Sequence, residues 1–213
     1  MSRMPPALER SAERDAALRA AVPFVPRFGW GEAALRAGLR ADGTDPDAAV
    51  GLFPQGPAAM VEAWTDLADR DMAGEAAGAG LDAMRVPLRI RTLMEIRLRQ
   101  RAPHREAVRR AVAVLALPWN YGAAARATAR TVDAMWLAAG DHSADASYYT
   151  RRATLAGIYA ATLSFWLQDP DPEGTATLAF LDRRLEELGR FQKLKARSRS
   201  FTARRGGGTD RAA

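Results

Sequence analysis

Apolar residues recur along this chain at helical spacing. Val132, Met135, Trp136 and Ala139 fall at i, i+3, i+4 and i+7, and Leu155, Ile158, Tyr159, Thr162 and Trp166 repeat the pattern downstream. Between them lies AGDHSADASYYTRRA, residues 139–153, where Gly140 fits a left-handed helix end and Asp145 or Ser147 can cap the next helix. The pattern predicts a helix-loop-helix corner. A corner needs a glycine and a cap, yet four large residues, Tyr148, Tyr149, Arg151 and Arg152, follow at once.

Alternating strand patterns are nearly missing, so the chain is predicted to be all-α. Helices are expected over 7–21, 31–40, 46–51, 57–74, 80–100, 104–116, 119–139, 146–168 and 174–195. Breaks are expected at Pro23 and Pro26, Gly43, Pro54 with Gly56, Gly78 with Gly80, Pro103, Pro118, and Pro170 with Pro172. Residues 153–167 carry no charge and are too few to span a bilayer, which predicts a buried central helix. Gly157, Ala160 and Ala161 on it leave room for a close neighbour or for a ligand. Further on, Leu178, Leu181, Leu185 and Leu188 form one stripe, with Phe191 and Leu194 as a rotated continuation. Arg183, Arg184, Arg190, Lys193 and Lys195 lie opposite. That helix is expected to dock on the body first and to end as a basic amphipathic surface element.

Three regions follow: 1–75, 76–190 and a basic tail, 191–213, expected to be partly disordered. Charge separates them. Residues 1–80 hold eight arginines against twelve acids, whereas 189–213 hold eight basic residues and Asp210. The tail therefore suits an anionic partner such as a membrane surface. Cysteine is absent, which excludes disulfides, thiolate zinc sites and cysteine nucleophiles. His104 and His142 stand in no metal-ligand spacing, and no signal-peptide pattern opens the chain. Neither a Glu-x-x-His pair, a nucleophile elbow nor a phosphate loop occurs. No catalytic residue, metal or cofactor is expected, and the expected location is cytoplasmic.

Three constellations carry functional readings. The corner is either a capped junction with packed tyrosines or a partner-binding patch, since Tyr and Arg are frequent binding hot spots. In the N-terminal third, the turn at Gly29 and Trp30, the helix EAALRAGL and the sequence DPDAAVGLFPQGPAAMVEAW resemble the helix-turn-helix and following long helix of TetR-type regulators. The position of a DNA-reading helix there holds Asp45 and Asp47, and carboxylates oppose binding to a polyanion, so no nucleic-acid partner is expected. The third constellation is an apolar wall. Leu115, Trp119, Val132, Trp136, Leu155, Ile158, Tyr159, Thr162, Leu163 and Trp166 are read as either a close-packed core or the lining of a lipid pocket.

The runs TVDAMWLAAGD at 131–141, SADASYYTRRA at 143–153 and FLDRRLE at 180–186 resemble the signature of the ninth coenzyme Q biosynthesis protein family (Coq-nine). GWGEAALRA at 29–37, LFPQGPAAMVE at 52–62 and LALPWN at 115–120 extend the resemblance across roughly residues 16–192. It implies a TetR-like helical bundle, commonly homodimeric, with a degenerate N-terminal helix-turn-helix and a C-terminal domain that binds isoprenoid quinone precursors or phospholipid. It also implies a partner, the di-iron demethoxyubiquinone hydroxylase or another ubiquinone-pathway enzyme, docked on Leu98, Asp133, Met135, Asp145, Tyr148, Tyr149 and Arg152. A membrane-touching element is implied at Leu188, Arg190, Phe191, Lys193, Leu194 and Lys195, placing the protein peripheral to the inner membrane. The chain departs from the family at Tyr148, where Trp is frequent, at His142, where Thr or Gln is usual, and in its short Arg-rich tail. A TetR-type ligand-responsive regulator stands as the alternative.

Overall fold

The computed structural model describes residues 8–141 and 148–187, and among these every regular element is helical. The chain begins with α1 (Ala12–Ala21), whose Ser11 side chain accepts from the Arg14 amide. α1 ends at Ala21, and the break expected at Pro23 and Pro26 takes the form of two short helical turns. The prolines sit in the opening positions of a 3-10 turn (Val22–Phe24) and of α2 (Val25–Phe28), where proline's missing amide costs nothing. The chain leaves the helix only at Gly29, at φ 76°.

Next comes α3 (Glu32–Ala41), packed so tightly on α1 that a Cβ on Gly38 would lie 2.5 Å from the Ala20 carbonyl. A 3-10 turn (Pro46–Ala48) and α4 (Ala49–Leu52) complete the N-terminal helical module. α5 (Pro57–Ala76) then runs through the middle of the molecule. Residues on nearly all its sides are buried, among them Met60, Trp64, Leu67 and Met72. This is the central helix.

α6 spans Val86–Arg101; it starts later than residue 80 because Gly80 is left-handed and Met84 extended. α7 (Arg105–Leu115), α8 (Tyr121–Ala138) and α9 (Tyr148–Gln168) follow, and residues 175–187 form α10. The expectation of a buried helix over 153–167 is corrected. α9 buries only one stripe, Leu155, Ile158, Thr162 and Trp166, while Gly157, Ala160 and Ala161 are exposed. Lack of charge signalled burial, but these small residues supply too little apolar area to demand it.

The interior divides into two clusters. One joins α1, α2, α3 and α4 to α5, Leu98 of α6, α7 and Trp166 of α9. The other gathers Met72, Ile90, Leu93, Met94, Val132, Met135, Leu155 and Leu181. The expected division near residue 75 coincides with the end of α5, while the first cluster runs across it without a gap.

α5 also carries buried carboxylates, each answered by arginine. Arg126 and Arg130 of α8 pair with Glu62, Arg10 and Arg70 with Asp66, and Arg97 of α6 with Asp69. A buried ion left alone costs several kcal/mol, so these pairs fix which helices face α5.

Candidate functional site

An apolar cavity of about 450 Å³ lies between α5, α6, α7, α8 and α9. It exists because the helices meet across small side chains: Ala68, Ala111, Ala124, Ala127 and Ala160 line it where larger residues would close it. Val61, Leu98, Val108, Leu115, Leu163 and Leu167 supply the greasy surface. Its exposed lining residues, Val112, Ala116, Tyr121, Ala160 and Ser164, mark the mouth on the α7, α8 and α9 side. The volume falls in the range of small-ligand sites.

Polar groups sit on the α5 and α6 side. Arg97 is buried and donates to Asp69, to the Tyr159 hydroxyl at 3.0 Å and to Thr131 at 3.3 Å. Burial pushes the Asp69 carboxyl up to about 6, against the opposing pull of Arg97 and of the Thr131 hydrogen bond. Arg101 stacks on Trp64, its guanidinium carbon 4.4 Å from a ring centroid. Burial, reinforced by neighbouring Arg97, lowers the Arg101 pKa to about 10, so it stays charged at neutral pH.

Of the residues read from sequence as lipid-binding, Leu115, Tyr159 and Leu163 line the cavity. Val132, Trp136, Leu155 and Ile158 are packed in the second core cluster, and Trp166 in the first. Thr162 is buried outside the lining. Trp119 stands on the surface, 77% exposed, in the turn just before Tyr121. The helical stripes identified the apolar faces, but two faces of one bundle look alike in sequence.

Ala160, read from sequence as leaving room for a neighbour or a ligand, is in the lining too, which also holds residues that sequence reasoning missed: Arg97, Arg101, Thr131, Ala68, Ala111, Ala124 and Ala127. A signal was present for two of them. Arg97 and Arg101 continue the apolar stripe Ile90, Leu93, Met94 at i+7 and i+11, where a surface arginine does not belong.

At the corner, the end of α8 is held by Arg89, which donates to the Ala139 carbonyl at 2.8 Å and to Met84 and Asp82 carbonyls. Gly140 is left-handed, φ 79°, as its position in the sequence implies. Tyr148 and Tyr149 meet edge to face at 5.1 Å. Arg152 lies over the Tyr148 ring at 3.3 Å and donates to Asp133. Tyr149 is 66% exposed. Asp133, Tyr148, Tyr149 and Arg152 thus gather on one face. Leu98 and Met135 are corrected as surface residues: both are buried, Met135 completely, because their apolar side chains complete the two core clusters. Asp145 and His142 lie outside the described residues, as do Leu188, Arg190, Phe191, Lys193, Leu194 and Lys195.

In the N-terminal module the reader position is a one-turn 3-10 helix and the four-residue α4. Asp45 caps that turn by accepting from the Asp47 amide at 2.9 Å, and Asp47 pairs with Arg36.

The COQ9 family model matches residues 121–192, from α8 onward. The mitochondrial ubiquinone biosynthesis protein COQ9 of Xenopus tropicalis is 34% identical over 178 residues, 80% of this chain and 56% of that protein. That of Homo sapiens is 32% identical over 181 residues, 80% of this chain and 55% of its own length. The chain therefore spans a little over half of these relatives. A TetR transcriptional regulator from Nitrosomonas europaea has a similar structure, with a TM-score of 0.66 and 27% identity; the match covers 83% of this chain and 98% of the regulator. The fold is TetR-like.

Proposed function

The chain belongs to the COQ9 family, and on that premise we propose that it serves ubiquinone biosynthesis as a non-catalytic, lipid-binding accessory protein. It binds an isoprenoid quinone precursor or a phospholipid in the cavity between α5 and α9 and presents it to a membrane-associated hydroxylase, the di-iron demethoxyubiquinone enzyme or another of the pathway. The observation that carries this reading is the apolar cavity itself. A polyprenyl tail drawn from a bilayer into water loses roughly 0.8 kcal/mol for each exposed methylene, and apolar walls offset that loss.

The corner face of Asp133, Tyr148, Tyr149 and Arg152 is the proposed docking surface for the enzyme. The chain acts as a homodimer at the inner membrane, held there by residues 188–195 and the basic tail. No helix of the described residues is long and apolar enough to cross a membrane. Liposome co-sedimentation that is unchanged when residues 189–213 are deleted would argue against the tail's part.

Native mass spectrometry of the purified full-length protein, with extraction of its lipids, tests the central proposal. Isoprenoid or phospholipid adducts are expected; recovery of neither would sink it. The likeness to a TetR regulator supports a second reading, a ligand-responsive transcription factor. Asp45 and Asp47 at the reader position weigh against it. A gel shift at low salt with the gene's own upstream DNA decides between the two.

A further inference from the structure

Arg97 and Arg101 sit one turn apart on α6, and both line the cavity, yet they are served differently. Arg97 has a carboxylate, a phenol and a hydroxyl as acceptors. Arg101 is 13% exposed, and its Nη2 is buried with no hydrogen-bond partner. The Asp71 carboxylate is 3.8 Å away, beyond hydrogen-bonding reach, and already accepts two bonds from Arg19 at 2.7 and 3.1 Å. Stacking on Trp64 holds the guanidinium plane in place without supplying an acceptor. A cation this well buried loses hydration that nothing nearby fully restores.

Resting on the lipid-binding reading above, we propose that Arg101 is a head-group anchor: the cavity's ligand is an amphiphile whose anionic oxygens accept from Arg101 while its apolar tail lies along Leu98, Ala127 and Leu163 toward the mouth. Carboxylate and phosphate both match a guanidinium fork, and a charge-assisted bond of this kind is about twice as strong as a neutral one. Among the lipids proposed above, the site thereby binds those with an anionic head more tightly, while its apolar walls still accept a neutral one. Arg101 also borders a second, polar groove, where Arg19, Arg70, Gln100 and His104 stand beside the carboxylates of Asp71 and Glu75.

The test uses full-length protein with cis-parinaric acid and its methyl ester as fluorescent probes. The acid is expected to bind the wild type about tenfold or more tightly than it binds Arg101→Gln, and the ester to bind both alike. Arg101→Lys, which keeps the charge but not the fork, is expected to fall between. Equal acid binding by wild type and Arg101→Gln overturns the anchor while leaving the cavity reading intact; no binding of either probe overturns both. If Arg101→Gln does not fold, the wild-type ratio of acid to ester affinity decides, and a ratio near one overturns the anchor. Displacement of the bound acid by dodecyl phosphate in preference to dodecanoate assigns a phosphate head, and the reverse preference a carboxylate.

Discussion

The indole nitrogen of Trp30 donates to the Ala107 carbonyl at 3.0 Å inside the protein, joining the N-terminal helices to α7. Its ring lies 4.8 Å from that of Trp64. The N-terminal module is therefore built into the wall beside the cavity. Trp30→Phe keeps most of the ring but loses the donor, and is expected to lower unfolding stability by about 1–2 kcal/mol in urea titrations. A single cooperative transition is expected, since one core cluster spans both parts.

Gly38→Ala tests the contact of α1 with α3. The added methyl meets Ala20 backbone atoms, which cannot swing aside as a side chain could. Destabilisation of roughly 1–3 kcal/mol is expected, despite alanine's better helix propensity.

Two neighbouring carboxylates on α5 respond to pH in opposite directions. Burial disfavours charge on Asp66, but hydrogen bonds and ion pairs with Arg10 and Arg70 prevail and hold its pKa below the usual 3.8. Its contribution is present above that value and is lost as pH falls through the lowered one. Asp69, raised to about 6, contributes stability below 3.8 that is lost as pH rises through about 6. Urea titrations should show the wild type's stability relative to Asp69→Asn falling between about pH 4 and pH 6, then levelling. Relative to Asp66→Asn, it should instead rise with pH in the acid range and level by about pH 4. A flat difference for either pair would contradict the assignment.

Of the two corner tyrosines, Tyr149 is the more open, whereas Arg152 covers Tyr148. Tyr149→Ala is expected to weaken hydroxylase capture about tenfold or more, an effect within the range of a single hot spot. Tyr148→Ala should act partly by removing the ring on which Arg152 lies, leaving that arginine held by Asp133. A pull-down that the double variant leaves unchanged, in protein that folds and binds lipid, refutes docking at this face.

Ala160 is exposed on α9 and lines the cavity mouth, so a large side chain can enter the space with little strain elsewhere. Ala160→Trp is expected to reduce co-purified lipid several-fold with a melting temperature within about 4 °C of wild type, the shift expected for under ~1 kcal/mol in a chain of this size.

The fold was legible wherever a stripe and its punctuation agreed. Gly29, Gly43, Gly56, Gly80 and Gly140 all adopt positive φ, and turns fall at these positions. Pro23 and Pro26 follow the end of α1 at Ala21 and open the two short turns after it, positions where proline's missing amide is tolerated. The site was less legible. Leu115, Tyr159 and Leu163 line the cavity, but a void is made by what is small on several helices at once, and Ala68, Ala111 and Ala127 read locally as ordinary helix formers. Arg101 stood out only by its phase on α6, which the abundance of arginine in the chain obscured.

The acids of α5 also act as a key. Glu62, Asp66 and Asp69 fall on successive turns, and each meets an arginine from a different part of the chain: Arg126 and Arg130 of α8, Arg10 before α1, and Arg97 of α6. Sliding α5 by one turn, about 5.4 Å, would still bury Met60, Leu67 and Met72, because apolar contact is non-directional. Because the acids stand one turn apart, such a slide would bring most of them to another acid's arginines but would leave a buried charge without its partner at each end of the row. The greasy interior alone would tolerate several alignments of the long helix; the charges favour the one that pairs every acid, and with it one shape for the cavity.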